Sequence, residues 1–302
     1  MRRVLLLGAL LAAASAAGAA STRSIAAPAP VTALAGDGAR IAYAVGFSTR
    51  DCNRVYVWNL GTRGVTRLGR KTHCERTSTG NAIAAVSIAG TRVLWLHYVG
   101  GNTRDWTLWT ATTTSPQPRR MRLVSRDADE PAPIVIGEGD SSRRGDILPY
   151  AVDRTVVALG ANGVRRFTWT APARVVALAA QDGELAVASQ GGVVTVLDGS
   201  GRVIGREAFG KEIEALRITG DSLAVQHGRT LELRGGRTAL YSLIAGVRLA
   251  DADGNRAVLV GGGKVRTFDL RSGQGGIAAA GSLAQIVGAR LSVASGRTVS
   301  VR

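Results

Sequence analysis

An all-β fold of repeated four-stranded antiparallel meanders is predicted by three features of this sequence. First, Ala173–Gly210 breaks into four short runs, Val175–Ala179, Glu184–Ser189, Val193–Leu197 and Arg202–Phe209. Tight turns join them: Gln181-Asp182-Gly183, Gln190-Gly191-Gly192 and Asp198-Gly199-Ser200-Gly201. Apolar, β-branched runs bounded by Gly and Asp read as strands and hairpins. Second, this layout recurs along the chain at about 35–50 residues, the period of propeller blades. Third, no stretch after the N-terminal segment keeps a helical period over about ten residues or more. Seven units fit, so the expected architecture is a seven-bladed β-propeller of four-stranded antiparallel blades; six blades plus irregular strands is the alternative. A β-sandwich also alternates strands and turns, but seven meanders of similar length are not its pattern.

The elements follow in order. Met1-Arg2-Arg3, apolar Val4–Ala14 and small-residue Ser15–Ala20 form the three-part layout of a secretory signal peptide over residues 1–20. The apolar part is too short for a comfortable membrane span. The expected domain plan is therefore a signal peptide followed by a single propeller domain over residues 21–302, secreted or in the cell envelope.

The first unit reads Val31–Ala35, Ala39–Phe47, Arg54–Leu60 and Val65–Leu68. The second reads Ala82–Ala89, Arg92–Val99, Trp106–Thr113 and Arg119–Ser125. The third is less regular: Pro133–Gly137, a polar loop Glu138–Gly145, then Asp146–Val152, Thr155–Leu159 and Val164–Thr170. Ala173–Gly210 is the fourth. The fifth reads Ile213–Ile218, Ser222–Gln226, Thr230–Leu233 and Thr238–Leu243. The sixth reads Val247–Ala250, Arg256–Val260, Val265–Leu270 and Gly276–Ala280. The last has only three strands, Leu283–Val287, Arg290–Ala294 and Thr298–Val301. An open edge strand invites aggregation, so Arg23–Ala27 is expected to supply the missing outer strand.

Composition agrees with a turn-rich folded chain: 39 glycines, 45% hydrophobic and 20% charged residues. The formal charge is +16, and lysine occurs only at Lys71, Lys211 and Lys264, so the positive charge is almost all arginine. The arginines are scattered singly or in pairs, such as Arg119-Arg120, Arg143-Arg144 and Arg165-Arg166, and make no nucleic-acid arm. A codon bias towards arginine on solvated faces explains this balance; binding to anionic glycans or lipids is the other reading.

Val193–Glu207 (VVTVLDGSGRVIGRE), Val265–Gln274 (VRTFDLRSGQ) and Val55–Gly64 (VYVWNLGTRG) share one shape: a strand ending in Leu-Asp, Phe-Asp or Trp-Asn, a Gly turn, then an outer strand. This resembles the superfamily of WD-repeat-like, quinoprotein-like and TolB-like β-propellers. The resemblance spans nearly the whole mature chain and is architectural. The Trp-Asp and Gly-His pairs of true WD repeats are absent, the nearest being Trp58-Asn59, as is the tryptophan that ends the quinone-type repeat. The resemblance implies a fold and transfers no active site.

Several positions invite a chemical reading. Cys52 and Cys74 are the two cysteines of an exported chain, and both fall on one face of the first blade. A disulfide between them is expected, stabilising by roughly 3 kcal/mol through loop closure. A metal site of Cys52, His73 and Cys74 lacks a fourth ligand and the usual spacing. Gly220-Asp221-Ser222-Leu223 matches the GDSL esterase signature but sits where other blades have a hairpin turn. Asp251-Ala252-Asp253-Gly254-Asn255 looks like the start of a calcium loop, but Gly262 stands where its glutamate is needed. Gly261-Gly262-Gly263-Lys264 precedes a strand, not the helix a phosphate loop requires. Glu138 and Asp140, with the acidic link Asp127–Glu130, are placed to line one mouth of the channel, although a solvated loop is the simpler reading. Trp106 and Trp109 lie an odd number of residues apart on one strand and so take opposite sheet faces.

No catalytic set, metal site or cofactor is expected. First strands offer mostly Ala, Val, Ile and Leu, with Arg217, Arg248 and Gln285 as exceptions. The expected function is a non-catalytic binding or scaffold module, monomeric, for a protein or cell-envelope partner. The contact face is expected on the long loops of blades one to three, with Trp106, Arg104 and His73 as candidate contact residues. The alternatives are an extracytoplasmic propeller enzyme (hydrolase, lyase or quinone-dependent dehydrogenase) and a binder of anionic surfaces.

Overall fold

The computed structural model describes residues 22–46, 54–69, 80–142 and 144–302. These residues form seven antiparallel sheets, six of four strands and one of five. The expected signal peptide lies outside the described residues.

Each blade is a meander running outward from the channel. Blade 4 has Val175–Gln181, Glu184–Ser189, Val193–Leu197 and Val203–Ala208 in that spatial order. Second strands such as Glu184–Ser189 (ELAVAS) are apolar almost throughout because blades pack on both their faces, and all but Glu184 is buried there. Fourth strands have solvent on one side, so Val203–Ala208 (VIGREA) alternates exposed and half-buried residues. Seven apolar clusters fill the seven blade-to-blade interfaces. A fully buried Leu or Val in them contributes roughly 1.5–3 kcal/mol.

Arg23–Ala26 pairs with Thr298–Val301 as the outer strand of the last blade, in register Arg23↔Val301 to Ala26↔Thr298. The ring closes where the inner strands of blades 7 and 1 meet. Gly36 permits this approach: a Cβ there would stand 2.4 Å from Val287 Cγ2.

Two features differ from the sequence expectation. The inner strands of blades 1, 2, 4 and 6 each carry a bulge, at Val31/Ala33, Ile83/Ala85, Val175/Ala177 and Leu249/Asp251. The extra residues, Thr32, Ala84, Val176 and Ala250, all line the channel. In blade 3 the loop read as merely polar contains a fifth strand, Asp140–Ser142, folded back onto Gly145–Val152. Gly139 lets it lie flat, since a Cβ there would stand 2.3 Å from the Ile88 carbonyl oxygen.

Candidate functional site

The inner strands surround a central cavity of about 480 Å³. Its walls are small and aliphatic: Ala33, Ala85, Val135, Ala177, Leu283 and Ala284 among others. It is lined by the beginnings of the inner strands. It therefore belongs to the face that carries the links between blades and the turns between second and third strands. Thr32, Glu214 and Arg248 also line it. Glu214 accepts a hydrogen bond from the Gly228 amide (2.9 Å), whereas Arg248 is exposed.

Towards the opposite face a set of charged side chains spans the ring. Arg217, on the blade 5 inner strand Ala215–Thr219, forms ion pairs by distance, its Nε lying 2.9 Å from Glu138 Oε2 and 3.5 Å from Asp251 Oδ1. Its other nitrogens donate to the carbonyls of Leu216 (2.7 Å) and Ala250. Gln285 of blade 7 donates to Glu138, which reaches across from the blade 3 loop. Asp251 accepts from the amides of Ile286 (2.5 Å) and Ala252 (2.7 Å). Four blades are tied by one arginine, two carboxylates and one amide. Burial pushes the Asp251 carboxyl well above the usual carboxylate range; the Glu138 charge adds to this, and Arg217 opposes it.

The surrounding hairpin turns extend this lock. Asp37 of blade 1 accepts from the Gly90 amide of blade 2 (2.5 Å) and the Ser141 amide of blade 3 (3.3 Å). Asp140 accepts from Gly183 of blade 4 (3.4 Å). Gln181 of blade 4 donates to Asp253 of blade 6 (3.2 Å). The channel is thus a funnel of small aliphatic side chains interspersed with polar groups, with a tied polar floor.

The structure distributes the other sequence candidates as follows. Arg217 and Gln285 belong to the floor, and Arg248 lines the cavity. Glu138 does line the channel but is bonded into the lock, not solvated in a loop. Asp251 and Asp253 direct their carboxylates to different partners, so the calcium-like run does not converge. Among the described residues no group of three His, Cys, Asp or Glu is placed to hold a metal. The Gly220–Leu223 tetrapeptide is the first hairpin turn of blade 5, where Ser222 donates to Asp221 (3.1 Å) and accepts from the Arg237 amide (3.1 Å).

Trp106 is a correction. Packing between blades is the default for the tryptophans, with Trp106 only the best candidate among them for a loop contact; it is 7% exposed and packs between blades 2 and 3 with Leu96 and Leu108. Tyr98 lies 5.0 Å from it, ring centre to ring centre. Trp109 packs on the other face, towards blade 1, as the odd spacing required. Arg104 is half-buried with its guanidinium 5.2 Å from the Tyr98 ring centre. His73, Cys52 and Cys74 lie outside the described residues.

Two polar clusters were not anticipated. In blade 5, His227 and Glu232 are buried together at 2.9 Å, and Arg234 donates to Glu232 (2.6 Å). Burial raises the Glu232 carboxyl, but these hydrogen bonds and charges outweigh it and hold the group below its ordinary value. In blade 2, His97 bonds Asn81 at 2.5 Å, and burial pulls its imidazole down to about 4.

No family model matches the sequence, and no curated protein matches it. Solved structures do. A chain of Chaetomium thermophilum Raptor aligns at TM-score 0.56 and 13% identity over 92% of this chain and 28% of that one. A chain of the Mitotic Checkpoint Complex aligns at 0.56 and 14% identity over 99% and 98%. BamB from Moraxella catarrhalis aligns at 0.53 and 14% identity over 90% and 84%. At these identities the likeness establishes the fold.

Proposed function

Taking the chain as a seven-bladed propeller of the WD-repeat-like, quinoprotein-like and TolB-like kind, we propose that it is an exported, non-catalytic binding module. It holds a protein or cell-envelope partner on the face into which the funnel opens. One observation carries this reading: Glu138, Arg217, Asp251 and Gln285 are bonded to one another and to backbone, while the open part of the cavity offers mostly small aliphatic walls. Such a cavity suits a small inserted side chain of a partner with both apolar and polar atoms, ringed by loops that can vary without disturbing the blades. The signal-peptide layout of residues 1–20 supports export.

Affinity capture from the native envelope fraction tests this. Ala84→Trp and Ala177→Trp fill the funnel from two sides of the ring. Both are expected to abolish partner capture with an unchanged melting temperature, while Asp221→Arg on the opposite face leaves it intact. Capture that survives both tryptophans, or chemical turnover of the captured material, contradicts the proposal.

A further inference from the structure

The side wall of the ring holds a second site, between the outer strands of blades 2 and 3. In blade 2 the fourth strand, Arg119–Asp127, sets Arg119 opposite Thr110 and Arg122 opposite Leu108. Leu108 packs towards blade 3, and Thr110, two residues on, shares its face. Both arginines therefore take the face turned to blade 3. In blade 3, Arg165 stands opposite Leu159, which packs in the same cluster. Between them lies a groove of about 410 Å³ lined by Arg122, Tyr150, Val152, Asp153, Arg154, Thr155 and Val157, with Arg119 and Arg165 flanking it.

The groove and its rim gather more positive charge than their carboxylates answer, since Asp153, the acidic residue of the lining among those described, is already paired with Arg126 (3.2 Å). Among the described residues, Arg119, Arg122 and Arg165 are exposed and make no hydrogen bond or ion pair with protein. Arg92 donates to the carbonyls of Ala161 (3.1 Å) and Asn162 (2.9 Å), and Arg154 to that of Ala171 (2.9 Å). These bonds leave the charges in place. The nearby carboxylates are already paired: Asp153 and Glu130 with Arg126 (3.2 and 3.3 Å), and Asp146 with Arg166. The charges also feel one another. Burial lowers the Arg92 guanidinium, and the Arg119 charge lowers it further. Burial raises the Tyr150 hydroxyl, and Arg122 and Arg165 both oppose that rise. Like charges held together without an anion are destabilising, and a bound polyanion relieves this.

We propose that this groove binds a strand of anionic polysaccharide. Guanidinium forks match carboxylates bidentately, and Arg119, Arg122 and Arg165 would take successive acidic groups. The half-buried Tyr150 offers a face for a sugar ring, and the Thr155 hydroxyl a polar partner. The site is recessed between two blades, which suits a thread and not a flat bilayer. It uses residues of the second to fourth strands, none of which lines the funnel.

The test uses the full chain with polygalacturonate as probe and dextran as neutral control. Wild type is expected to bind polygalacturonate but not dextran, with affinity falling as salt rises. The double variant Arg122→Gln/Arg165→Gln is expected to weaken binding ~10-fold or more, from two lost charge-assisted contacts. Arg271→Gln/Arg290→Gln removes the same charge from exposed positions on blades 6 and 7 and is expected to bind like wild type. Ala84→Trp, which blocks the funnel, is also expected to bind like wild type, so failure here and failure of the funnel reading are separable. Equal loss in both arginine pairs overturns the proposal, as does loss in Ala84→Trp. Tighter binding to phosphatidylglycerol vesicles or single-stranded DNA than to polygalacturonate also overturns it.

Discussion

Replacing Arg217 by methionine removes the cation that faces both Glu138 and Asp251 while keeping much of its aliphatic volume. The side chain of Asp251 is 6% exposed, and those of Arg217 and Glu138 about a fifth exposed. Breaking a buried ion pair by deleting one partner costs about 3–5 kcal/mol. Water reaches part of this cluster, so the lower end, about 3 kcal/mol, is expected. For a chain of this size that is a fall of about 6–12 °C in melting temperature. The loss also depends on pH. The Asp251 carboxyl sits above its unfolded value in the folded protein. Its contribution is therefore fully present below the unfolded value and declines as pH rises through the folded one. Without Arg217 the ionised form is disfavoured further, so the variant's deficit is expected to widen as pH rises through the wild-type folded value. Differential scanning calorimetry of wild type, Arg217→Met and Arg217→Met/Asp251→Asn reads this directly. The double variant removes the orphaned charge and is expected to recover part of the loss and flatten its pH dependence. A single variant as stable as wild type at pH 8, or a deficit that shrinks as pH rises, refutes the lock.

Three further outcomes follow from packing. Trp106→Ala opens a cavity between blades 2 and 3 and is expected to cost about 3–5 kcal/mol by chemical denaturation; unchanged stability contradicts its buried placement. Gly139→Val drives a side chain into the Ile88 carbonyl and Leu148, so the blade 3 loop is expected to lose amide exchange protection at Ser141 and Ser142 before the rest of the fold. Ile25 packs on the cluster between blades 7 and 1, so Ile25→Asp, which sets a charge there, is expected to lower the unfolding free energy from chemical denaturation by about 2 kcal/mol or more.

Much of this fold was legible because local chemistry repeats. In Ala173–Gly210 every turn carries glycine, and each strand is short enough to read singly. The closing strand Arg23–Ala26 was found because the last unit lacks a fourth strand, not from its own weak pattern. The channel exceptions Arg217, Arg248 and Gln285 were visible as polar residues in otherwise aliphatic first strands. What they do was not visible. Glu138 meets Gln285 from 147 positions away in sequence, a distance fixed only by ring closure. The inner-strand bulges were also hidden, because one extra small residue such as Ala84 or Ala250 does not disturb an apolar run. Trp106 was misplaced for a related reason: alternation separates it from Trp109 but does not say that both faces of a blade are covered. The groove between blades 2 and 3 shows the same limit. Arg119, Arg122 and Arg165 read as scattered, and only the stacking of blades brings them together.

The central claim is a ring closed by the N-terminal strand, since the funnel, its floor and the side groove all depend on it. The Ala27 amide donates to the Arg297 carbonyl (2.7 Å), so in the alternating ladder Ser24 and Ser300 form a non-hydrogen-bonded pair. Their Cα atoms stand about 4.5 Å apart in such a pair, within disulfide range. Mass mapping of the oxidised Ser24→Cys/Ser300→Cys variant is predicted to recover one peptide pair joined between positions 24 and 300. Free thiols at both positions, or either cysteine joined elsewhere, would contradict the closed ring.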